Sequence, residues 1–291
     1  MKTPVGFVGI GLMGSAMAQR LLKSGYTLNV YTRTKQKGEG VLSAGAKWFE
    51  SPADVAKNSD IVLSMISDSK ALEEIAQCAN GILHGLKKGG VHVDMSTVAP
   101  ATTESLAAKY ESSGCHFIHS PVLGSVPNAT DGSLLLFVGG TDEAFAKVEP
   151  VLKSLGSHLW RFEKPEMASN MKLVCNSFIA GMILTLTQGI VYAKKAQINP
   201  ATLLEILSHS ALNSTMYQTK GKAIIDRNFT PRFFVEHMLK DIELALEAAG
   251  KIGVPMPGLE AAQKLFQQAT VDGYTKEDYS AVMKVLEQQA A

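Results

Sequence analysis

Apolar and polar positions change rhythm once along this chain of 291 residues. Up to residue 163, short apolar runs alternate with longer stretches of helical period. The runs at 4–8, 27–31, 60–66, 91–95, 115–119, 134–138 and 158–162 read as buried strands. Between them helices are expected over 13–23, from Pro52 behind the N-cap Ser51, and over 71–78, 81–86, 103–112 and 143–155. Beyond residue 163 the alternation stops and only helical patterns remain, at 171–193, 203–208, 236–252, 258–270 and 279–289. Pro165 suits the first turn of the long helix, where Glu166 complements the helix dipole. The expected fold is α/β, with an N-terminal Rossmann domain over 1–163 holding a doubly wound, mostly parallel sheet. An all-α domain follows over 164–291.

The first strand runs into Gly9-Ile10-Gly11-Leu12-Met13-Gly14 and then into a helix. Gly-x-Gly-x-x-Gly is a weak signal alone, but the strand before it and the helix after it are what a dinucleotide site requires. Gly9 permits the tight turn, Gly11 lets the backbone approach a pyrophosphate, and Gly14 lets helix and strand pack closely. The unpaired N–H groups at the helix start then face the phosphates. Met65, at the end of the strand over 60–66, is assigned to the same cofactor site.

The second strand ends at Thr32-Arg33-Thr34, with Lys37 a turn later. An NAD site places Asp or Glu there to bond the ribose 2′-hydroxyl, and a carboxylate would repel a 2′-phosphate. Arg33 can fork onto a phosphate, Thr34 can donate its hydroxyl and Lys37 adds a point charge. NADPH/NADP is therefore the expected cofactor; the plainer alternative is a solvated basic turn. Ser96 and Thr97 follow the strand over 91–95, where doubly wound sheets bind their ligands, or else they cap the next helix.

Composition removes several classes of function. A net charge of +1 with 19% charged residues offers no basic excess for nucleic acid. Cys78, Cys115 and Cys175 are odd in number and set among apolar residues, which reads as reduced core thiols in a cytoplasmic protein. No cleavable signal precedes the first strand, and no run is expected to span a membrane; the apolar helix over 171–193 is interrupted by Lys172, Asn176, Thr185 and Gln188. His116 and His119 invite a metal reading, but residues three apart on a strand point to opposite faces, so no metal is expected. No Ser stands in a Gly-x-Ser-x-Gly elbow.

On the long helix Lys172 and Asn176 lie four apart, on one face, among Met171, Leu173, Val174 and Phe178. Such a lysine either snorkels to water or serves as an acid. Hydride addition to a carbonyl creates an alkoxide, which an ammonium can stabilise and protonate. Asn176 can hold the same oxygen or orient the lysine.

Five ordered motifs now carry a resemblance. Gly9-x-Gly11-x-Met13-Gly14, Asp94-x-Ser96-Thr97, Gly124-Ser125-x-x-x-Ala129-x-x-Gly132-x-Leu134, Lys172-x-x-x-Asn176 and Lys240-Asp241-x-x-x-Ala245 together resemble the β-hydroxyacid dehydrogenase family over essentially the whole chain. The branch of glyoxylate and succinic semialdehyde reductases and 3-hydroxyisobutyrate dehydrogenases is the most similar. The resemblance implies that Lys172 is the general acid and Asn176 its assistant. Ser96, Thr97, Leu123, Gly124, Ser125, Phe233 and Asp241 would line the substrate pocket, while Thr97 and Lys240 would also reach the cofactor. It further implies a homodimer or homotetramer built on the helical domain. Two departures stand out: Leu123 replaces the serine that would bond a substrate carboxylate, and Glu166 and Ala168 replace glycines before the lysine.

The resulting expectation is an NADPH-dependent oxidoreductase that reduces small aldehydes or oxo-acids such as glyoxylate or succinic semialdehyde, reversible toward the hydroxyacid. An imine reductase, which Leu123 keeps open, and a cofactor-binding interaction module without turnover are the rival readings.

Overall fold

The computed structural model describes residues 4–291; residues 1–3 of the expected first domain lie outside the described residues. The described chain forms two compact units, one up to Lys172 and one over Leu173–Ala291, with the division inside one helix.

The first unit runs β1 (Val5–Val8), α1 (Leu12–Lys23), β2 (Leu28–Tyr31), α2 (Glu39–Ser43), β3 (Lys47–Trp48), α3 (Pro52–Lys57), β4 (Ile61–Ser64), α4 (Ser69–Gln77), α5 (Ile82–Gly85) and β5 (Val91–Asp94). It continues with α6 (Pro100–Ser112), β6 (His116–His119), β7 (Val122–Leu123), α7 (Val126–Asp131), β8 (Leu134–Gly139), α8 (Asp142–Leu155), β9 (Gly156–Phe162) and the start of α9 (Pro165–Lys195). The strand order is β3-β2-β1-β4-β5-β6-β8-β7, with β9 beside β8. All neighbours are parallel except β6 with β8 and β7 with β8. This is the Rossmann order, whose switch point lies between β1 and β4.

Both sheet faces are covered. Val5, Phe7, Leu28, Val30, Leu63, Val91 and Val93 pack beneath Met17 and Leu21 of α1 and Val148, Leu152 and Leu155 of α8. On the other face Leu106 and Tyr110 of α6 and Leu72 and Ala76 of α4 cover Phe117. Ser51 caps α3 by accepting from the Asp54 N–H, with Pro52 in the first turn as the sequence predicts. Cys78 is exposed at the end of α4 rather than in the core, which corrects the expectation for that thiol; Cys115 is buried and Cys175 half-buried, and all three are free.

The second unit contains the rest of α9, then α10 (Pro200–Ser208), α11 (Thr215–Ile225), α12 (Val235–Lys251), α13 (Pro257–Val271) and α14 (Val282–Gln289). Leu173, Ala180, Ile183, Leu186 and Ile190 put one side of α9 into the core with Met238, Ile242, Phe266 and Met283. A buried Asp278 ties this unit together: it accepts from Lys220 Nζ at 2.7 Å and from Ser280 Oγ at 2.7 Å. The expectation about membrane length needs correction, because α9, 31 residues with a window of mean hydropathy 1.6, is long and apolar enough to cross a membrane. Met167, Met171, Val174 and Phe178 leave an exposed stripe on α9 opposite the buried one.

Candidate active site

The glycine loop lies at the carboxyl end of β1, and the three glycines answer to different constraints. Gly9 has φ 99°, and a Cβ there would overlap the Met65 carbonyl oxygen. A Cβ on Gly14 would overlap the Gly9 carbonyl oxygen. Gly11 differs, because a Cβ there meets nothing within 4 Å. The fold itself thus requires Gly9 and Gly14, whereas the space beside Gly11 is open. Gly11 is also the N-cap of α1 and no side chain caps that helix, which leaves its first N–H groups to an anion. Ile10 is buried under the loop, Leu12 is 52% exposed on it and Met13 is half-buried. These residues fit a dinucleotide pyrophosphate.

At the end of β2, Thr32 is buried while Arg33, Thr34 and Lys37 are exposed. Thr34 precedes a short 3-10 turn, Lys35–Gly38, and no carboxylate occurs before Glu39. Lys35 is occupied over the Trp48 ring at 5.1 Å, so Arg33 and Lys37 are the cations the turn presents.

The ends of β4, β5 and β6 carry Met65, Ser96 and Thr97, and the turn to Leu123, and they meet on one carboxylate. Ser64, Asp94 and His119 are register partners on the last rung of the three strands, all fully buried. Asp94 Oδ1 accepts from Ser64 Oγ and from Ser96 Oγ, both at 2.7 Å, and Oδ2 accepts from the Ser96 N–H at 3.3 Å. The Ile66 N–H donates to Ser96 Oγ at 2.9 Å. His119 Nδ1 is 3.2 Å from Asp94 Oδ2, near enough for charge and dipole attraction but out of line for a hydrogen bond. Below this rung, His92 joins Ser64 Oγ through Nε2 and the Tyr110 hydroxyl through Nδ1, both at 2.8 Å.

Burial pushes the Asp94 carboxyl up, but His119, His92 and Ser64 outweigh it, and its pKa ends below the usual value. Burial drives His92 down to about 4, and His119 adds to the fall. Burial likewise raises Tyr110 well above its ordinary value. A neutral His92 and a neutral Tyr110 orient the chain: Tyr110 O–H donates to Nδ1, Nε2–H donates to Ser64 Oγ, and Ser64 donates to Asp94.

Ser96, expected to touch substrate, donates its hydroxyl to Asp94 and accepts from the Ile66 N–H, which fixes the loop on which it stands. Thr97 next to it is half-buried. Gly124 has φ 139°, and a Cβ there would press on Leu134 Cδ2 at 2.9 Å. Ser125 starts α7 and its N–H donates to Asn128 Oδ1 at 3.1 Å. Leu123 is half-buried and pairs with Leu135. His116 is tied to Glu143 at 3.4 Å, away from His119.

Lys172 is 8% exposed, so it does not reach out to water. In the second unit the buried Asn176 donates Nδ2–H to Asp241 Oδ2 at 2.5 Å, and Lys240 Nζ lies 2.9 Å from Asp241 Oδ1. Phe233 packs on Tyr279 and on His237, with ring centroids at 6.1 and 5.8 Å. Spacing places His237 four residues from both Phe233 and Asp241, a neighbour that the sequence reading missed. Asp94, His92, His119 and Ser64 were missed as a group too, although the alternation Val-His-Val-Asp in β5 puts His92 and Asp94 on one face. The His-x-x-His spacing in β6 marks His116 and His119 instead.

Fold and glycine loop together define an NAD(P)-binding oxidoreductase. The NAD-binding domain of 6-phosphogluconate dehydrogenase matches residues 4–170, and the NAD-binding domain of NADP-dependent 3-hydroxyisobutyrate dehydrogenase matches residues 167–286. Glyoxylate/succinic semialdehyde reductase 2, chloroplastic, of Arabidopsis thaliana is 33% identical over 97% of this chain and 79% of its own. The crystal structure of 3-hydroxyisobutyrate dehydrogenase from Salmonella typhimurium superposes with a TM-score of 0.90 at 26% identity, covering 98% of this chain and 100% of that one. Psf3 in complex with NADP+ and 2-OPP shares the fold, with a TM-score of 0.89 at 23% identity over 97% of this chain and 99% of that one.

The chain belongs to the β-hydroxyacid dehydrogenase family. It is a hydroxyacid dehydrogenase-type oxidoreductase acting on CH-OH groups with a nicotinamide dinucleotide.

Proposed function

We propose that the protein is an NADPH-dependent reductase of small aldehydes and oxo-acids, with Lys172 as the proton donor. The observation that carries this reading is the burial of Lys172 at 8% exposure, one helical turn from a buried Asn176. When bound, the cofactor supplies the hydride that reduces the carbonyl carbon. The protein's part is to hold the dinucleotide on Gly9 to Gly14, to attract the 2′-phosphate with Arg33, Thr34 and Lys37, and to deliver a proton from Lys172 Nζ to the oxygen. As the carbonyl becomes an alkoxide, a desolvated ammonium stabilises the new charge before transferring its proton. Asn176, held through Asp241, supports the lysine's side of α9.

Leu123 supports a preference for carbonyls whose anionic group is small or bound elsewhere, because a leucine cannot bond a carboxylate. The test is NADPH and NADH oxidation against glyoxylate, succinic semialdehyde, methylglyoxal, an aromatic aldehyde and a cyclic imine. The reading expects an aldehyde or oxo-acid to be reduced fastest. It expects NADPH to be preferred by about tenfold or more, since one charge-assisted phosphate contact is worth about 1.5–3 kcal/mol. Fastest turnover of the imine would replace it with the imine reductase reading, and equal use of NADH would remove the 2′-phosphate assignment.

A further inference from the structure

The buried carboxylate of Asp94 sits where three loops begin. The strand ends of β4, β5 and β6 share its rung, and they lead to Met65, to Ser96 and Thr97, and to Leu123, Gly124 and Ser125. The β4 and β5 ends are hydrogen-bonded to it, and the β6 end lies against it. The β4 end is held by Ser64 Oγ at 2.7 Å and, through Ser96 Oγ, by the Ile66 N–H at 2.9 Å. The β5 end is held by Ser96 Oγ and its N–H. The β6 end is held by His119 beside the carboxylate and by the Ser120 N–H on the Asp94 carbonyl at 2.7 Å.

Packing alone does not call for this group. On the same rung β1 places Val8, an apolar side chain buried just as fully in the same sheet. A buried carboxylate is costly unless donors converge on it, and here three N–H or O–H donors do. What a shared acceptor adds is a fixed relation among its donors, because neither the β4 end nor the loop after β5 can shift without leaving the carboxylate short of a partner, and the β6 end is set against it by His119.

We propose that Asp94 is a positioning residue for hydride transfer: its carboxylate locks the loops after β4, β5 and β6 into the one mutual arrangement that sets substrate against cofactor. The inference rests on the reductase reading above. It assigns Asp94 no contact with substrate or cofactor; the carboxylate acts through Ser96, Ile66 and the turn after His119.

The test uses the full-length Asp94→Asn variant, which keeps the shape and replaces one acceptor oxygen with an amide donor. Thermal unfolding and NADPH-binding stoichiometry count the folded sites. The expected result is a turnover per NADPH site lowered by about tenfold or more, with NADPH affinity nearly unchanged. The isotope effect with C4-deuterated NADPH should rise, because hydride transfer becomes the slow step. Amide exchange in segments 65–69, 96–99 and 120–126 should quicken together by about tenfold. A variant that melts earlier yet keeps turnover per site, isotope effect and exchange in the three segments would overturn the proposal, leaving Asp94 a stabilising residue only. Should Asp94→Asn not fold, Ser64→Ala, which removes one donor to the carboxylate, makes the same comparison: lower turnover at unchanged NADPH affinity supports the proposal, and unchanged turnover overturns it. The exchange measurement needs no turnover, so failure of the reductase reading and failure of this proposal give different outcomes.

Discussion

At the scale of single residues, chemistry here depends on what burial does to charge. Lys172 and Asp94 are both withdrawn from water. His92 is the neutral counterpart, its pKa held at about 4 by burial and accepted in the fold because its two nitrogens have partners. A direction for acid stability follows. In the unfolded chain His92 takes a proton near pH 6.5, whereas the folded protein resists until about 4. The unfolded state therefore binds more protons across that window, and stability is complete above it and declines as pH falls through it. Asp94, with its pKa also lowered, adds to the loss at still lower pH. Urea unfolding at stepped pH should show a loss of about 3 kcal/mol from His92 by pH 4, and His92→Gln should flatten that slope.

At the scale of elements, the glycine loop separates what folding needs from what binding needs. Gly14→Ala forces a methyl against the Gly9 carbonyl and should lower stability by about 1–3 kcal/mol, read as an earlier thermal transition. Gly11→Ala meets open space, so the apo protein should melt as the parent does while NADP titration shows weakened binding. Elements with a strong local signal were legible in the sequence: Ser51-Pro52 opens α3, and Pro165 opens α9. Elements held by tertiary contact were not. The two residues of β3 and the two of β7 exist because neighbouring strands accept them. Helix α11 hides behind Gly221, which reads as a helix breaker until α10 is seen pressing Leu204 Cδ2 to within 2.5 Å of where a Cβ would sit. The dinucleotide loop could be read from spacing, since glycines state their own constraint. The Asp94 network could not, because its members come from β4, β5, β6 and α6 and only the register joins them.

At the scale of the whole molecule, α9 carries more apolar surface than one helical unit uses. Met167, Met171, Val174 and Phe178 recur at spacings of four, three and four, and Tyr192, 76% exposed, continues the same series. We propose that a second copy covers this stripe, as the heptad spacing supports self-association between two α9 helices. Light scattering should give the mass of a dimer or a multiple of it, and Phe178→Glu should shift it toward the monomer. A parent protein that is monomeric at micromolar concentration would rule this out.

In the proposed reaction Lys172 supplies the proton as the carbonyl accepts hydride. The most direct measurement of this role is single-turnover oxidation of bound NADPH by the best carbonyl substrate, comparing the parent protein with Lys172→Ala. The variant should bind NADPH with ordinary affinity and transfer hydride about a hundredfold to ten-thousandfold more slowly. Hydride transfer at near-parent rates in a variant saturated with NADPH would contradict that role.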